Sequence, residues 1–232
     1  MSISSQLLIL NQTKQNTKIS INNKGVTVTN EAFAAYPDKV RLIPNGGGIY
    51  ESNIIQYIEG TMVDVDIPYG TTTIGKSAFY FMPIETVTIP NSVTAIGSFS
   101  FCNCQNLGSV TIPNSVTIIG NSTFHGCVSL STMDIPNSVT SLGDGVFRGC
   151  TGLISATLGS GITSIGDYIF YECDNFQSLT CLAVTPPTIV SGTFQSGNYP
   201  IYVPDNSVLA YQTADNWMQY SNRIKPLSDK PQ

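Results

Sequence analysis

Residues 110–132 read VTIPNSVTIIGNSTFHGCVSLST, and close copies of this stretch lie on both sides of it, at 87–109 and 133–155. Weaker copies extend the series, so that units begin at residues 65, 87, 110, 133, 156 and 179. The spacing between these starts is 22 residues once and 23 residues four times. A fixed period of this length predicts a solenoid, in which each unit packs only on its neighbours. The six units are called rungs 1 to 6 below.

The apolar positions that recur in every unit predict how one rung folds. In residues 110–132 they are Val110, Ile112, Val116, Ile119, Phe124, Cys127 and Leu130. Val110 and Ile112 have the spacing of side chains on one face of a strand, and Pro113 ends that strand because it donates no ladder hydrogen bond. Phe124 and Cys127 are three residues apart, as on a helical or 3₁₀ turn. Since one rung cannot bury its own apolar face, the stack needs a cap at each end.

The recurring order of apolar columns, proline and glycine over residues 65–198 resembles the BspA-like leucine-rich repeat of bacterial surface proteins. A C-terminal module extends the resemblance to about residue 227, through Y-V-P at 202–204, S-V-x-x-Y at 207–211 and the series Ala214, Trp217, Tyr220 and Ile224. The resemblance implies an α/β repeat solenoid with short parallel strands, without catalysis, used for adhesion or recognition. The spacing of Trp217, Tyr220 and Ile224 predicts a helical face that seals the last rung, and core packing of Trp217 is favoured over a ligand-stacking role.

The first 48 residues predict a small helical N-terminal module. Residues 4–24 have an incomplete helical apolar face, Gly25 is a plausible stop, and Val26 and Val28 indicate a brief strand. Residues 6–44 resemble the start of many bacteriophage tail-associated proteins, at Asn16, Lys18, Lys24, Gly25, Val26, Phe33, Tyr36, Lys39 and Val40. That resemblance implies an attachment or assembly segment, whereas a plain helical cap for the first rung is the alternative. We therefore expect three parts: the module at 1–48, the solenoid at 49–198 and a cap at 199–232.

Composition narrows the classes of partner. Charged residues make up only 11% of the chain and the net charge is −5, with no run of Lys or Arg. Because binding to phosphates needs clustered cations, we expect no nucleic-acid partner. The chain has no long apolar stretch that predicts membrane insertion. Its first residues carry no basic residue before Lys14, and the apolar run at 7–10 is too short for a recognisable signal peptide.

Four of the six cysteines form one repeat column, at Cys104, Cys127, Cys150 and Cys173. Cysteine in such a column is expected to pack as a small apolar residue rather than to form disulfides or bind metal. Cys181 occupies an inward strand column. The sixth, Cys102, lies in a column with Tyr80, His125, Arg148 and Tyr171 that we expect to face solvent. Cys102 with His125 is the one thiol–imidazole pairing that the sequence offers. Because stacking of rungs brings many pairs of residues close together, this proximity is weak evidence for a nucleophile. We therefore expect neither catalysis nor a cofactor or metal site.

Two surfaces are candidates for binding. The first is the concave strand face, set by the residues that flank the inward apolar pair: Thr86, Thr88, Ser109, Thr111, Thr132, Asp134, Ser155 and Thr157. This hydroxyl-rich face has no aromatic platform for sugars, and solvation is its plain interpretation. The second is the edge that carries Tyr80, His125, Arg148, Tyr168 and Tyr171. Asn91, Asn114 and Asn137 predict a structural ladder of amides between rungs.

These observations favour binding over catalysis. The first hypothesis is a phage virion component, tail- or fibre-associated or a surface decoration, whose N-terminal module docks on virion proteins and whose repeats attach to a host. The alternative is a bacterial cell-surface or secreted adhesin. In both cases the expected partner is a protein or a cell-surface glycan. Resemblance to phage fibres adds the expectation of a homo-oligomer, a trimer being usual there.

Overall fold

The computed structural model describes residues 19–21, 26–28, 63–67, 69–195 and 197–231. The strands are, in chain order, β1 (Ile19–Ile21), β2 (Val26–Val28), β3 (Val63–Asp66), β4 (Thr73–Ile74), β5 (Ile84–Thr88), β6 (Ala95–Ile96), β7 (Ile118–Ile119), β8 (Thr132–Ile135), β9 (Ser141–Leu142), β10 (Ser155–Leu158), β11 (Ser164–Ile165), β12 (Ser178–Cys181), β13 (Ile201–Val203) and β14 (Ile224–Pro226). One α-helix, α1, spans Val208–Thr213, and 3₁₀ turns lie at Asp205–Ser207, Met218–Arg223 and Leu227–Asp229.

The repeats build a solenoid of short parallel strands, as predicted. Strands β4, β6, β7, β9 and β11 form one parallel sheet, with one strand from each of rungs 1 to 5. On the other side of each rung, β8, β10, β12, β13 and β14 form a second parallel sheet, and β3 pairs with β5. Each residue of β8 pairs with the residue one repeat later in β10, for example Thr132 with Ser155. This in-register pairing fixes which side chains of successive rungs become neighbours.

The second sheet is interrupted at rung 3, because residues 110–112 form no strand. Ile112 is still buried in its predicted column. The residue that leads into this segment is Gly108, where the other rungs have Glu85, Ser131, Ile154 and Gln177. Glycine loses more conformational entropy in a strand than any other residue and offers no side chain to pack, which explains a local weakness at this point.

A stack of phenylalanine rings runs through the interior beside the turns that follow the short strands. Phe79, Phe101, Phe124, Phe147 and Phe170 are buried, and consecutive rings lie 5.1, 5.4, 5.8 and 5.6 Å apart, with planes within 10° of parallel. This spacing is that of successive strands in a sheet with a small offset. The predicted inward columns are thus confirmed as one continuous core.

The cysteine column packs beside these rings and also forms hydrogen bonds between rungs. All six cysteines are free and buried. The thiol of Cys104 donates to the Phe79 carbonyl of the previous rung at 3.1 Å, and Cys127, Cys150 and Cys173 repeat this bond to Phe101, Phe124 and Phe147 at 3.2, 3.0 and 2.9 Å. A thiol can make this bond and an aliphatic side chain cannot, so the column combines apolar packing with a polar contact between rungs.

The N-terminal prediction is partly wrong. Residues 19–21, which were expected within a helix, form β1 and pair in antiparallel fashion with β2, where Ile19 faces Val28 and Ile21 faces Val26. Alternating β-branched residues favour a strand over a helix, which explains the difference. The strand expected at 26–28 is confirmed. The rest of the predicted helical module and of the phage-like segment lies outside the described residues.

The C-terminal cap contains a small helical part, as predicted, and it also continues the sheet through β13 and β14. Ile224, which was expected on one helical face with Trp217 and Tyr220, instead begins β14. Trp217 is fully buried against Tyr211 and Phe194, and its indole N–H donates to the Pro187 carbonyl at 2.7 Å, which confirms the core role expected for this residue. Tyr211 donates to Ala183 at 2.7 Å and Tyr220 to Ser191 at 2.8 Å. The cap therefore closes rung 6 with aromatic side chains whose N–H and O–H groups donate to backbone carbonyls of that rung.

Arg223 is a buried cation inside this cap. Its Nε donates to the Tyr199 carbonyl at 2.9 Å and its Nη1 to the Phe194 carbonyl at 3.0 Å. The guanidinium lies 4.2 Å from the centre of the Tyr199 ring and 5.3 Å from that of Tyr220. Hydrogen bonds to carbonyls and contact with two ring faces offset part of the cost of burying this charge.

Candidate functional site

The predicted strand face exists and its residues point outward. Six of the eight predicted residues are exposed and two, Ser155 and Thr157, are half-buried. In β5 and β8 the exposed residues alternate with buried ones, and the register sets Thr132 beside Ser155 and Asp134 beside Thr157. At the first rungs Thr86 donates to the Asp64 carboxylate at 2.5 Å. The face is therefore a polar surface, on which the Thr86 hydroxyl is engaged with the neighbouring carboxylate.

The C-terminal cap limits this face, which the sequence did not predict. Thr180 follows Thr157 in the same column, yet it is buried, and the Lys230 ammonium donates to its hydroxyl at 2.9 Å. The next residue in register, Tyr202, is also buried. The accessible part of the strand face thus ends at rung 5.

The residues of the second predicted surface are less exposed than expected. Tyr80, His125, Arg148 and Tyr171 are half-buried rather than fully solvent-facing, and Cys102 is buried with only 3% of its surface exposed. Asn103, the next residue, has a left-handed backbone with a φ of 59°, and its amide donates to the Cys102 sulfur at 3.5 Å. The prediction that Cys102 faces solvent is therefore wrong, because its neighbour folds over it.

Exposed aromatic residues gather on this side of the molecule, which we call the turn edge. It comprises an aromatic set, Tyr80, Phe81, Phe99, Tyr168 and Tyr171, and a polar centre, His125, Arg148 and Glu172. The exposed fractions of Phe81, Phe99 and Tyr168 are 58%, 36% and 40%. Ring centres of Tyr80 and Phe81 lie 4.6 Å apart at rung 1, and those of Tyr168 and Tyr171 lie 5.5 Å apart at rung 5. Both pairs meet edge to face, the arrangement that aromatic rings prefer.

The turn edge repeats a special backbone conformation. In each of rungs 1 to 5 the residues two before and two after the core phenylalanine have left-handed φ values between 52° and 71°. Rungs 3 and 4 place Gly126, Gly145 and Gly149 at such positions, where glycine carries no steric cost. Phe81, Phe99 and Tyr168 adopt the same conformation with φ of 60°, 59° and 52°, at a cost on the order of 1 kcal/mol each for an L-residue. This signal could have been found by aligning these residues with the glycines of the same columns.

The polar centre is held together by one ion pair. The Nε of Arg148 lies 3.3 Å from Oε2 of Glu172, and Nη2 donates to Oε1 at 3.4 Å. The guanidinium also lies over the Tyr171 ring, 5.0 Å from its centre. Both side chains are about half exposed, so the pair adds little to stability. Its effect is to hold a donor group and an acceptor group side by side between the two aromatic pairs.

The electrostatics of Cys102 and His125 do not resemble those of a catalytic pair. Burial raises the pKa of the Cys102 thiol to about 11. Burial, and then the positive charge of Arg148, lower the pKa of His125 against the opposing effect of Glu172. A nucleophilic thiolate–imidazolium pair needs the opposite shifts, so at neutral pH this thiol is protonated and this imidazole is neutral.

Within the described ranges, no group of three or more His, Cys, Asp or Glu side chains is arranged to hold a metal ion. None of the helices in the part of the chain that the structure covers has the length and apolar character needed to cross a membrane.

Of the predicted amide ladder at Asn91, Asn114 and Asn137, the described residues show a bond between rungs for Asn137, and a second polar column lies beside it. Asn137 accepts a hydrogen bond from the Ser160 amide of the next rung at 2.8 Å. In a column that was not predicted, Asn121 accepts from the Asp144 amide at 3.1 Å, and Asp144 in turn accepts from the Asp167 amide at 2.8 Å. Both columns satisfy turn backbone between rungs and so have a structural role.

Comparison with known proteins gives matches over the repeats. A family profile described as the BspA type leucine rich repeat region matches residues 65–198 in six copies. Among solved structures, the pneumococcal vaccine antigen PcpA superposes with a TM-score of 0.59 at 18% identity, over 71% of this chain and 40% of that protein. The leucine-rich repeat protein TpLRR of T. pallidum is 32% identical, with a TM-score of 0.49, over 50% of this chain and 55% of that protein. This chain thus matches about half the length of each, and the likeness to PcpA shows the fold alone. No curated protein sequence matches this chain.

Proposed function

Because this chain belongs to the BspA-type leucine-rich repeat family, we propose that it is a non-catalytic recognition protein that binds a macromolecule on the outside of its repeats. A fold does not dictate a function, so the proposal rests on the surfaces described above. The observation that carries it is the turn edge, where large aromatic side chains remain exposed beside a fully packed core. Aromatic residues and arginine are enriched at the centres of protein interfaces, where their burial on binding contributes most of the affinity.

The chemistry of the site favours binding over turnover. The chain has a single histidine, and the thiol nearest to it in the repeat pattern is held protonated by burial. A solenoid instead offers outward columns at fixed spacing on a rigid support, which suits recognition without rearrangement. These features support a binding protein and give no activated nucleophile to a catalytic alternative.

The binding test uses the full-length chain on intact bacterial cells and on their isolated envelopes. We expect saturable binding that falls when Phe81 and Tyr168 are changed to serine, and that persists when Thr88 and Thr132 are changed to serine on the strand face. If the strand-face variant loses binding instead, recognition belongs to that face. Absence of saturable binding to any cell or envelope would contradict the proposal.

We further propose that the protein is displayed on a phage virion, where residues 1–48 dock on virion proteins and the repeats attach the particle to a host. The support is the resemblance of residues 6–44 to phage tail-associated proteins, together with the exposed edge on the repeats. The competing proposal is a bacterial cell-surface or secreted adhesin, which the family's association with bacterial surfaces favours. A fibre-like virion role also predicts a homotrimer in solution, which light scattering on the full-length chain measures directly.

The two locations are separated by finding where the protein occurs. Peptides from this chain should be recovered by mass spectrometry from purified phage particles of the source sample. Incorporation should be lost when Phe33 and Tyr36 are changed to serine in the full-length chain, and kept when Thr88 is changed to serine. Recovery only in envelope fractions would overturn the virion proposal and leave the adhesin.

A further inference from the structure

We propose that the turn edge binds a neutral, extended oligosaccharide laid across the rungs, with an exposed aromatic side chain stacking on a sugar ring near each end of the bound segment. The inference deepens the proposed recognition function by naming the class of ligand, and it depends on that function. It rests on the position, conformation and chemistry of the turn-edge residues.

The aromatic residues stand at the two ends of the edge and leave its middle low. Rungs 1 and 2 carry Tyr80, Phe81 and Phe99, and rung 5 carries Tyr168 and Tyr171. Between them, the left-handed positions hold Ser122 and glycines, which project little or nothing from the backbone. The left-handed columns therefore carry large rings toward both ends and small residues in rungs 3 and 4, beside the half-buried His125 and Arg148. An extended chain can follow such a line of residues across the rungs.

The spacing of the rungs suits a chain of pyranose rings. Successive core rings from Phe101 to Phe170 are 5.4, 5.8 and 5.6 Å apart, and the outward side chains above them follow the same step. One step is close to the length of one pyranose residue in an extended β-linked chain. The C–H groups on a pyranose face carry partial positive charge and are attracted to the negative face of an aromatic ring. Tyr168 and Phe99, three rungs apart, can therefore contact sugar rings that belong to one short oligosaccharide.

The polar centre offers the hydrogen bonds that hydroxyl groups need. A sugar hydroxyl both donates and accepts, and the neutral imidazole of His125 also does both. Arg148 supplies donors and Glu172 supplies acceptors, and they pair with each other, while the Lys76 ammonium lies 6.0 Å from the centre of the Phe99 ring. A neutral ligand with many hydroxyls fits this combination.

Other extended ligands fit less well. A single-stranded nucleic acid also stacks on aromatic rings, but it needs a positively charged groove, and this chain has a net charge of −5. An acidic glycan would compete with Glu172 for Arg148. A proline-rich peptide stacks on aromatic residues too, yet it has few hydrogen-bond donors to offer Glu172 or His125.

The backbone of the edge places the exposed rings at strained positions. Phe81, Phe99 and Tyr168 have left-handed backbones in columns where other rungs carry glycine, serine, asparagine or glutamate, and exposed side chains recover little of that strain by packing. Strain of this kind persists where it places a side chain for a function. Glycine at the same positions would relieve the strain and remove the ring together.

Substitution by glycine at these left-handed positions gives a test that separates misfolding from loss of binding. Isothermal titration of the full-length chain with cellotetraose, mannotetraose and laminaritetraose at millimolar concentration should show saturable binding of at least one. Phe99→Gly and Tyr168→Gly should each weaken it by about tenfold or more while leaving the melting temperature unchanged or higher. Tyr168→Phe, which keeps the ring, and Thr88→Ser, on the strand face, are the matched controls and should bind as the parent does. Binding should also change little between low and high salt, because no net charge is engaged.

Three outcomes would overturn the inference. They are no binding of any of these tetrasaccharides, binding that the two glycine variants leave intact, and a polyproline peptide that binds with the same dependence on Phe99 and Tyr168. If the chain still binds bacterial envelopes through another ligand, the recognition function stands and only the assignment to neutral glycans fails.

Discussion

The middle rungs and the C-terminal cap provide hydrogen-bond donors for buried carbonyl groups with different side chains. In rungs 1 to 4 the carbonyl of a buried phenylalanine accepts a hydrogen bond from the cysteine thiol one rung later, as Phe124 does from Cys150 at 3.0 Å. At rung 6 no further repeat follows, and large side chains take over, with Trp217 on Pro187 and Arg223 on Phe194. Buried carbonyls need partners in both places. A small repeated donor lets the stack continue, whereas bulky donors end it.

Alkaline pH should act chiefly on the repeated donor. Burial raises the pKa of Cys104 and Cys173 to about 12 and that of Cys127 well above its ordinary value. In the unfolded chain these thiols ionise near their ordinary pKa of about 8.5 to 9, while the folded chain keeps them protonated. The free energy of unfolding is therefore fully retained below about pH 8.5 and should fall as the pH rises toward 12.

The expected loss at pH 10 is about 1.4 kcal/mol per thiol, or about 6 kcal/mol for the four thiols of the column. Cys102 and Cys181, whose pKa values burial also raises, should add to this fall. Urea midpoints measured at intervals from neutral pH to pH 10 test this, because the tyrosines of the unfolded chain begin to ionise only toward the upper end of this range. A midpoint that stays constant over this range would contradict the burial of the thiols.

Removal of the indole should act on the cap. Trp217→Ala deletes a fully buried side chain and should lower the free energy of unfolding by about 3–5 kcal/mol. Trp217→Phe keeps most of the packing and loses the bond to Pro187, with an expected cost of about 1–3 kcal/mol. Since each rung depends on its neighbour, amide exchange should increase first in rung 6. A loss below about 1 kcal/mol for the alanine variant would show that the cap does not stabilise the stack.

Replacing one thiol should weaken a single contact between rungs. Cys150→Ala removes the bond to the Phe124 carbonyl and leaves a small void, for an expected loss of about 2 kcal/mol. Cys150→Ser keeps a donor at the same place and should cost less. Cys102→Ala is the comparison, because this buried thiol lies outside the column and its sulfur accepts only one long bond, from the Asn103 side chain at 3.5 Å. Equal losses at the two positions, measured by chemical denaturation, would show that the thiol acts by packing alone.

Repair of the interrupted sheet should have the smallest effect. At Gly108 an added Cβ meets no atom within 4 Å and φ is not left-handed, so Gly108→Ser should raise the free energy of unfolding by about 0.4–1 kcal/mol. The matched residue of the next rung is Ser131. Gly152→Ser is the control in the opposite direction, because its Cβ would approach the Val128 carbonyl within contact distance. Thermal unfolding of the three proteins tests both signs, and a destabilised Gly108 variant would contradict the explanation of the interruption.

The features that could be predicted from the sequence are those that repeat. The period fixes the register, and the register fixes the inward column of Phe124 and the outward column of Thr132. Family membership follows from the same pattern. The polar bond of the cysteine column was missed because a repeat column records size and polarity but not the donor's direction.

What could not be predicted depends on single residues that break the repeat. Asn103 buries Cys102, and Gly108 interrupts a strand, although both rungs fit the pattern. At the cap, the apolar spacing indicated a helical face for Trp217 but gave no sign that Arg223 would be buried. Phe81 and Phe99 were missed on the turn edge, although the glycines that other rungs carry in their columns are a sign of a left-handed backbone.

The bonds between rungs also have a genetic consequence. They join residues 22 to 26 positions apart, as from Thr94 to Thr72 and from Cys150 to Phe124. A duplicated or deleted segment of one period leaves each new neighbour with the same partners, so recombination can change the number of rungs without new packing. Every such event between Phe99 and Tyr168 would move the two aromatic ends apart or together by one step of 5.4 to 5.8 Å. The distance between the two aromatic ends can therefore change in whole steps as repeats are gained or lost.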